Sequence, residues 1–215
     1  MVDSSYDLVV IGAGPGGYVA ALRAVELGMR VACVDKQWLG GTCLNVGCIP
    51  SKALLESSSQ YQMASSTYAD HGISFSGVAL DLQAMMARKK RIVGTMTKGI
   101  ASLFNKHNVE FFSGLGSIPK SGCVLVSDGE QSYKLVTERI LIATGSIPIE
   151  LESLPFDGQH IISSTEALEM SEPPPRLVVI GAGAIGLEIG SIWARLGSDV
   201  LVVEFTDTIL PDADK

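Results

Sequence analysis

The sequence contains the same pattern twice: a short buried strand, a glycine-rich turn and a helix. The first copy has the apolar run DLVVI at residues 7–11, the turn GAGPGG at 12–17 and a predicted helix over 18–27. The second copy has LVVI at 177–180, GAGAIG at 181–186 and a helix that reaches Leu196. A β-branched run leading into a G-x-G-x-x-G turn is typical of a Rossmann unit. Two copies therefore predict an α/β protein with two dinucleotide-binding units.

Three glycines in each copy serve different physical needs. The first two permit the tight turn and let the backbone approach a pyrophosphate, whereas the third lets the helix pack closely on the strand. The helix begins with unpaired N–H groups and a partial positive charge, which attract phosphate even in an acidic protein. The alternative is a pair of tight turns in an unrelated α/β protein, and the strand–helix context excludes a kinase-type glycine loop. The glycines concerned are Gly12, Gly14, Gly17, Gly181, Gly183 and Gly186.

An acidic residue ends the second strand of each copy, 23 positions after the first glycine. These residues are Asp35 and Glu204, and a carboxylate at this place accepts hydrogen bonds from a ribose 2′-hydroxyl. Glu204 would repel a 2′-phosphate, and the residues that follow it, Phe205-Thr206-Asp207, include no arginine. The second site is therefore expected to prefer NAD over NADP. These residues leave NAD and FAD open for the first site.

The residues between the two copies predict two helices and several short strands. Helices are expected over residues 48–61 and 80–104, and the basic run 88–91 in the second helix is interpreted as a solvated face. Pro148 and the polar stretch near Asp157 mark a boundary. The predicted domains are therefore 1–149 and 150–215, of which the latter holds only the first βαβ unit of its fold. The strands are expected at 109–112, 116–118, 123–126, 133–136 and 139–143.

Charge and hydropathy argue against several classes of function. The 215 residues carry a formal net charge of −7, which disfavours a nucleic-acid partner because such partners reward basic surfaces. No apolar run reaches the roughly 18 residues that a membrane-spanning helix needs. The opening residues, MVDSSYD, contain neither a basic region nor a long apolar segment. No export signal is therefore expected, and the cytoplasm is the predicted compartment.

Residues 40–52 read GGTCLNVGCIPSK and place Cys43 and Cys48 close together. Such a pair can hold zinc, form a structural disulfide or carry electrons. Structural zinc needs four ligands, but Cys33, Cys123 and the three histidines are scattered singly. A disulfide across so short a loop gains little chain entropy, and stable disulfides are rare in the cytosol. A redox pair without a metal is therefore favoured, and Cys33 and Cys123 are interpreted as small core residues.

Local geometry agrees with a pair that opens and closes. In a regular helix, Cα atoms five positions apart are separated by about 8–9 Å, whereas a disulfide requires about 4.4–6.8 Å. Cys43 and Cys48 can therefore bond only if the backbone is bent between them, which the neighbouring glycines allow. Lys52 follows Cys48 by one helical turn, where its charge would favour the thiolate. The alternative is an ordinary surface lysine.

The segments VVIGAGPGGYVAA at 9–21 and GGTCLNVGCIPSK at 40–52 resemble the flavin-dependent disulfide reductases. This family includes dihydrolipoamide dehydrogenase, glutathione reductase and mercuric reductase. Leu44, Ile49 and Ser51, together with the second glycine turn, are most similar to its dihydrolipoamide dehydrogenase branch, and the similarity covers essentially the whole chain. The resemblance implies a Rossmann-like FAD-binding domain of three-layer ββα/βαβ topology, followed by the start of a second Rossmann-like, NAD-binding domain.

The resemblance also implies roles for individual residues. Cys43 would exchange with a dithiol substrate, Cys48 would lie against the flavin, and Lys52 would sit near the flavin's reactive nitrogen. Glu188 matches a glutamate placed where flavin and nicotinamide meet, although local pairing within a helix is an alternative. Asp35 stands where many relatives have glutamate, a change that keeps the carboxylate. The implied FAD-binding residues are Gly12, Gly14, Gly17, Asp35, Lys36, Gly41, Thr42, Lys52, Gly116, Thr144, Gly145 and Ser146, and the implied NAD-binding residues are Gly181, Gly183, Ile185, Gly186, Glu188 and Glu204.

The implied activity is oxidation of protein-bound dihydrolipoamide to lipoamide through a Cys43–Cys48 disulfide and FAD, with reduction of NAD to NADH. The implied partner is the lipoyl-bearing subunit of a 2-oxo acid dehydrogenase complex or of the glycine cleavage system, and the full-length protein would be a homodimer. Two alternatives stay open. One is a reductase resembling glutathione or mercuric reductase, whose NADP preference Glu204 opposes, and the other is an inactive nucleotide-binding protein.

Family members are more than twice as long and carry a C-terminal dimerisation domain with a His–Glu pair that acts as acid and base. A chain that ends at Lys215 is expected to lack this domain and to be inactive alone. His71, His107 and His160 match no part of that motif, so none of them is assigned the role.

Overall fold

A computed structural model describes residues 3–211. They form two compact units: the first takes residues up to Asn45 together with Val93–Ile147, and the second takes Val46–Ile92 together with residues from Pro148 onward. The helices are α1 (Pro15–Glu26), α2 (Gly41–Asn45), α3 (Cys48–Ser65), α4 (Leu82–His107), α5 (Ser164–Ala167) and α6 (Ala184–Arg195), with a 3₁₀ helix at Thr67–His71. The strands are β1 (Asp3–Ile11), β2 (Val31–Asp35), β3 (Glu110–Ser113), β4 (Leu115–Lys120), β5 (Cys123–Ser127), β6 (Ser132–Ile142), β7 (Arg176–Ile180) and β8 (Asp199–Val203).

Most predicted elements are present, and their differences from the prediction have local causes. Helix α1 begins at Pro15 rather than residue 18, because proline lacks an N–H group and suits the first helical position. The two helices expected over 48–61 and 80–104 are confirmed as α3 and α4. The prediction of separate strands at 133–136 and 139–143 is wrong. One strand, β6, covers both, because β1 pairs with it along its length from Lys134 to Ile142.

The first unit is built on a six-stranded sheet in the order β3-β2-β1-β6-β5-β4. The pairs β3–β2, β2–β1 and β1–β6 are parallel, whereas β6–β5 and β5–β4 are antiparallel. The parallel strands have the near-continuous apolar character of strands covered on both faces. In β2, for example, the four residues from Val31 to Val34 are all fully buried. The carboxyl ends of β1 and β2 carry the first glycine turn and Asp35, which is where ligands bind in open α/β sheets.

One apolar cluster of the described residues brings together side chains from several strands of the first sheet. Its central members, Val9, Val34 and Val126, are all 0 % exposed and come from three different strands. Tyr6 packs edge-on against Phe112, and its ring also supports the guanidinium of Arg30 at 4.8 Å. Cys33 and Cys123 are buried, as predicted for core thiols, and burial raises the pKa of Cys33 to about 12.

The second unit packs α3, α5 and α6 around a core that contains Trp193, which is 0 % exposed. The indole Nε1 of Trp193 donates a hydrogen bond to the carbonyl of Ala167, so the short helix α5 is attached to α6. Ser163 and Glu166 form a capping box that starts α5 and stabilises this four-residue helix.

The interpretation of residues 88–91 as a solvated face is wrong for Lys89. This side chain is 1 % exposed, and its Nζ donates to the carbonyl of Leu168 and, at 2.6 Å, to the carboxylate of Glu169. Arg88 also points inward and donates to the carbonyl of Ala53 at 3.0 Å. A buried ammonium is tolerated only when it is paired and hydrogen-bonded, so Lys89 contributes to the core of the second unit. Lys90 and Arg91 are exposed, as predicted.

Strands β7 and β8 form a two-stranded parallel sheet with one covered face. Helix α6 covers the face of Val179 and Val200, since a Cβ added at Gly190 would lie 3.6 Å and 3.4 Å from their side chains. The opposite face is apolar and exposed, and its four residues are between 47 % and 59 % exposed. These residues are Val178, Ile180, Leu201 and Val203.

None of the helices within residues 3–211 has the length and apolar character needed to cross a membrane.

Candidate functional site

The first glycine turn has a geometry that only glycine can adopt. Gly12 has φ +107°, and a Cβ added there would lie 2.1 Å from the carbonyl oxygen of Ala143. A Cβ added at Gly17 would lie 1.7 Å from the carbonyl oxygen of Gly12. Contacts this short with backbone atoms cannot be relieved by rotating a side chain. The predicted roles of Gly12 in the turn and of Gly17 in helix–strand packing are therefore supported by the local geometry.

The N-terminus of α1 lies close to the segment around Gly41. Gly14 is the N-cap, and no side chain of the described residues caps it by hydrogen bonding. The nearest atom to a Cβ added at Gly14 is the Cα of Gly41, at 3.8 Å. Conversely, a Cβ added at Gly41, which has φ +59°, would lie 2.5 Å from the Cα of Gly14. The segment that leads into α2 is thus packed directly against the glycine turn.

Asp35 binds the glycine turn through a backbone amide. Its Oδ2 accepts a 2.7 Å hydrogen bond from the N–H of Ala13, and its Oδ1 accepts from Gln37 and Trp38 at 2.9 Å and 3.2 Å. A carboxylate offers about four lone-pair sites, so these three bonds leave room for a ligand hydroxyl. Lys36, the next predicted contact, is exposed beside it.

The second glycine turn repeats this arrangement. A Cβ added at Gly186 would lie 2.1 Å from the carbonyl oxygen of Gly181, and Gly183 is the N-cap of α6 with open space around its Cα. Glu204 accepts a 2.6 Å hydrogen bond from the N–H of Ala182. Ile185, in the first turn of α6, is 65 % exposed.

Thr206 holds the other oxygen of the Glu204 carboxylate. Its N–H donates to Oε1 at 2.9 Å, and its Oγ1 lies 3.1 Å from the same oxygen. The pKa of Glu204 is lowered, first by the N–H of Thr206, then by the N–H of Ala182 and the hydroxyl of Thr206. Sequence analysis did not identify Thr206 as a functional residue. The only available signal was its position two residues after Glu204, and no motif requires a threonine there.

The predicted FAD contacts beyond the turn occupy different environments. Thr144, Gly145 and Ser146 are exposed residues that follow β6, and Gly145 has φ +71°. Thr42 is exposed in the first turn of α2. Gly116 on β4 has close neighbours: a Cβ added there would lie 3.1 Å from Ile11 and 3.3 Å from Val34, so this glycine has a packing role as well.

The two cysteines lie in separate helices. Cys43 is half-buried in α2, Cys48 is exposed at the first position of α3, and all four cysteines of the chain are thiols. The helical backbone is interrupted between them, since α2 ends at Asn45 and α3 begins at Cys48. Cys43 and Cys48 therefore do not share one continuous helix.

Lys52 and Glu188 form an ion pair within the second unit. Lys52 Nζ donates to Glu188 Oε1, and both side chains are partly exposed. Ser51 Oγ lies 3.3 Å from Glu188 Oε2 and 3.1 Å from the carbonyl oxygen of Cys48. Lys52 follows Cys48 by one turn of the same helix, as predicted. Ser51 was missed as a polar contact of this group, because the partner glutamate is 137 positions away in the sequence.

Within residues 3–211, no group of three or more histidine, cysteine, aspartate or glutamate side chains is arranged to hold a metal ion. His71 ends the 3₁₀ helix and His107 ends α4. His160 lies 3.8 Å from a carboxylate oxygen of Asp157. The three histidines therefore occupy three separate positions in the described chain.

Relatives of the chain share about half of its residues over nearly its whole length. Leghemoglobin reductase of Glycine max is 50 % identical over 97 % of this chain and 40 % of its own length. The mitochondrial dihydrolipoyl dehydrogenase of Pisum sativum is 50 % identical over 97 % of this chain and 42 % of its own length. Dihydrolipoyl dehydrogenase 3 of Pseudomonas aeruginosa is 50 % identical over 98 % of this chain and 45 % of its own length. The chain thus spans less than half the length of these relatives.

The fold also matches a solved flavoprotein structure. A copper(II) complex of the HOCl-induced flavoprotein disulfide reductase RclA from Escherichia coli superposes with a TM-score of 0.79 at 27 % identity, over 98 % of this chain and 45 % of that one. This match confirms the predicted Rossmann-like fold. The family model described as pyridine nucleotide-disulphide oxidoreductase matches residues 6–215. The resemblance inferred from the two glycine turns and the cysteine segment is confirmed: the chain belongs to the pyridine nucleotide-disulphide oxidoreductase family.

Proposed function

We propose that this chain is the nucleotide-binding part of a flavin-dependent dihydrolipoamide dehydrogenase, with FAD at the first glycine turn and NAD at the second. The observation that carries this proposal is the position of the helix that holds Cys43. Helix α2 starts at Gly41, whose Cα lies against Gly14 of the turn. A dinucleotide turn with a cysteine-bearing helix packed on it suits the transfer of electrons between a thiol and a flavin.

The residues around the first turn fit FAD. The open N-cap at Gly14 and the N–H groups at the start of α1 suit a pyrophosphate. Asp35 retains acceptor capacity for ribose hydroxyls after its bonds to backbone amides. The other residues proposed to hold FAD are Gly12, Gly17, Lys36, Gly41, Thr42, Lys52, Gly116, Thr144, Gly145 and Ser146. When bound, FAD would accept two electrons from the enzyme thiols and deliver them to NAD.

The proposed role of the cysteines is thiol–disulfide exchange. A thiolate of the dithiol substrate attacks Cys43 Sγ of a Cys43–Cys48 disulfide, and Cys48 leaves as a thiolate. The second substrate thiol then displaces Cys43, so the substrate becomes a cyclic disulfide and the enzyme holds two thiols. Lys52 follows Cys48 by one helical turn, so the proposal places its positive charge on the same side of α3 as Cys48. Glu188 in turn orients the Lys52 ammonium through their ion pair.

The second turn is proposed to bind NAD rather than NADP. The Glu204 carboxylate, charged at neutral pH, would accept from a ribose hydroxyl and repel a 2′-phosphate. Gly181, Gly183, Gly186 and Ile185 are the remaining residues proposed to contact this nucleotide. The division into domains 1–149 and 150–215 stays a prediction, in which the first domain binds FAD and the second binds NAD.

The substrate carrier, the oligomeric state and the compartment of the full-length protein are proposed from its family. The dithiol would be carried on the lipoyl-bearing subunit of a 2-oxo acid dehydrogenase complex or of the glycine cleavage system, and the full-length protein would act as a homodimer. Relatives include mitochondrial and bacterial proteins, and the cytoplasm is the proposed compartment for this one.

The test uses single cysteine variants of the full-length protein. Cys43→Ser should retain bound flavin and show a long-wavelength absorption band from a thiolate beside it, yet fail to oxidise dihydrolipoamide. Cys48→Ser should lose both the band and turnover, whereas the buried control Cys123→Ser should keep both. A band in Cys48→Ser but not in Cys43→Ser would reverse the two roles. Unchanged turnover in both variants would show that the pair carries no electrons.

A further inference from the structure

In each turn, the residue between the first two glycines has hydrogen bonds at both its N–H and its carbonyl group. Ala13 and Ala182 are both 0 % exposed. The N–H of Ala13 donates to Asp35 at 2.7 Å, and the N–H of Ala182 donates to Glu204 at 2.6 Å. The same short charge-assisted bond therefore appears in both copies, although one acid is an aspartate and the other a glutamate.

The carbonyl of the same alanine is bound by the loop that follows the acid. Gly40 N donates to the carbonyl of Ala13 at 2.9 Å, and Leu210 N donates to the carbonyl of Ala182 at 3.0 Å. Both donors have positive φ angles, +95° for Gly40 and +48° for Leu210. A left-handed leucine is unfavourable, so its presence in the second loop indicates that this contact constrains the backbone.

Thr206 fixes the Glu204 carboxylate in the orientation that reaches Ala182. Its N–H donates to one carboxylate oxygen at 2.9 Å, and its hydroxyl, which also donates to the carbonyl of Thr208 at 2.8 Å, lies 3.1 Å from the same oxygen. The other carboxylate oxygen accepts from the Ala182 amide. In the first copy the amides of Gln37 and Trp38 do the same for Asp35. In each copy, one carboxylate oxygen is bound to the loop and the other to the turn.

We propose that Glu204 is a positioning residue for the phosphate-binding turn, in addition to its contact with ribose, and this inference rests on the proposed binding of NAD at that turn. The Ala182 amide is buried, so removing its acceptor would leave a donor without a partner. The turn would then rearrange and displace Gly183, the residue from which α6 and its phosphate-facing N–H groups begin.

The two roles of Glu204 predict opposite changes in affinity when Glu204 is removed, provided that the ligand has phosphates but no ribose hydroxyls. If Glu204 acts only on ribose, its removal eliminates a negative charge near the phosphates, and such a ligand should bind equally well or more tightly. If Glu204 holds the turn, the same removal should weaken binding. The probe is 2′,3′-dideoxyadenosine 5′-diphosphate, and NAD is titrated in parallel.

The variants are Glu204→Ala and Glu204→Asp in the full-length protein purified with its flavin. Glu204→Ala should bind the dideoxy diphosphate about tenfold more weakly, the size expected for losing a hydrogen bond to a charged group. Glu204→Asp should largely restore binding, because Asp35 makes the same contact in the first copy. Equal or tighter binding of the probe by Glu204→Ala would overturn the proposal.

Hydrogen exchange of the ligand-free protein gives a second, local readout. The Ala182 amide should exchange at least about tenfold faster in Glu204→Ala. The neighbouring Gly181 amide, which donates to Val203 at 2.8 Å, should stay protected and so verify that the unit is folded. Unchanged exchange at Ala182 would overturn the inference.

The outcomes also separate this inference from the proposed function. If the wild-type protein binds NAD but Glu204→Ala leaves probe binding and Ala182 exchange unchanged, the positioning role alone fails. If the wild-type protein binds neither NAD nor the probe, the proposed NAD site fails and the positioning role fails with it.

Discussion

Helices α1 and α6 begin with the same local geometry, but the strands that follow them, β2 and β8, differ in burial. The N-cap glycines have nearly equal φ angles, −71° for Gly14 and −73° for Gly183, and each turn is held by an acidic residue 22 positions after its central alanine. The strands that end in these acids differ: Val34 on β2 is 0 % exposed, whereas its counterpart Val203 on β8 is 47 % exposed.

This difference separates what a short segment determines from what the rest of the sheet supplies. The turn, its acid and the helix start arise from contacts within one repeat, so both copies have them. Burial of the second strand depends on strands from elsewhere in the sequence. In the first unit, β4 and β5 cover this part of β2, since a Cβ added at Gly116 would lie 3.3 Å from Val34, and Val126 belongs to the same buried cluster. Val203 lies on the exposed face of a sheet of two strands.

The largest effect is expected at the third glycine of each turn. Gly17→Ala and Gly186→Ala should each lower the free energy of unfolding by about 3 kcal/mol or more, the upper end of overpacking costs, because the added Cβ meets a backbone oxygen at 1.7 Å or 2.1 Å. The control Gly183→Ala has no atom within 4 Å of its added Cβ and should cost less than about 1 kcal/mol. Denaturant unfolding of the three variants measures this. A large cost in one copy and a small cost in the other would contradict the equivalence of the two turns.

The next effect should differ between the copies. Val34→Thr places a hydroxyl in a fully buried site and should cost about 1–3 kcal/mol. The same change at Val203, which is half-exposed, should cost less than about 0.5 kcal/mol. Unfolding of both variants in the 215-residue chain tests the pair. Equal costs would show that the face of β7 and β8 that contains Val203 is covered in solution.

One pH effect in the first unit has no counterpart in the second repeat, because it depends on Glu110 and its partners. The hydroxyl of Tyr6 and the guanidinium of Arg30 bind Glu110, and they lower its pKa, with Tyr6 as the larger cause. A carboxyl whose folded pKa is lowered stabilises the protein above its unfolded pKa, and that stabilisation is lost as the pH falls through the folded pKa. The second copy has Pro175 and Asp199 at the positions of Tyr6 and Arg30.

Tyr6→Phe should therefore reduce the loss of stability below the ordinary glutamate pKa of 4.5. Because Glu110 is largely solvated, the difference should stay below about 0.5 kcal/mol. Melting temperatures at neutral pH and near pH 4 measure it, with Tyr133→Phe as a control that loses a hydroxyl bonded to Gln131. Parallel melting curves for wild type and Tyr6→Phe across this range would rule out the assigned cause.

Sequence patterns predicted the features that arise within one repeat. The strand, turn, helix and acid of both copies follow from spacing alone, as does the helix that begins at Cys48. The patterns failed where a contact joins distant segments. Lys89 looked solvated because its acceptor, the carbonyl of Leu168, is 79 residues away. Thr206 was missed for a different reason: it lies only two positions after Glu204, but no sequence motif marks a residue that binds this carboxylate.

The central claim is that the two repeated turns bind two different nucleotides, and a binding stoichiometry tests it most directly. Flavin released on denaturation is counted per chain for the full-length wild type, Asp35→Ala and Glu204→Ala, and each protein is titrated with NAD. The account predicts that Asp35→Ala loses most of its flavin, whereas Glu204→Ala retains one flavin per chain and loses most of its affinity for NAD. Two results would contradict it. One is loss of flavin from Glu204→Ala with full retention in Asp35→Ala, and the other is weaker binding of the same nucleotide in both variants.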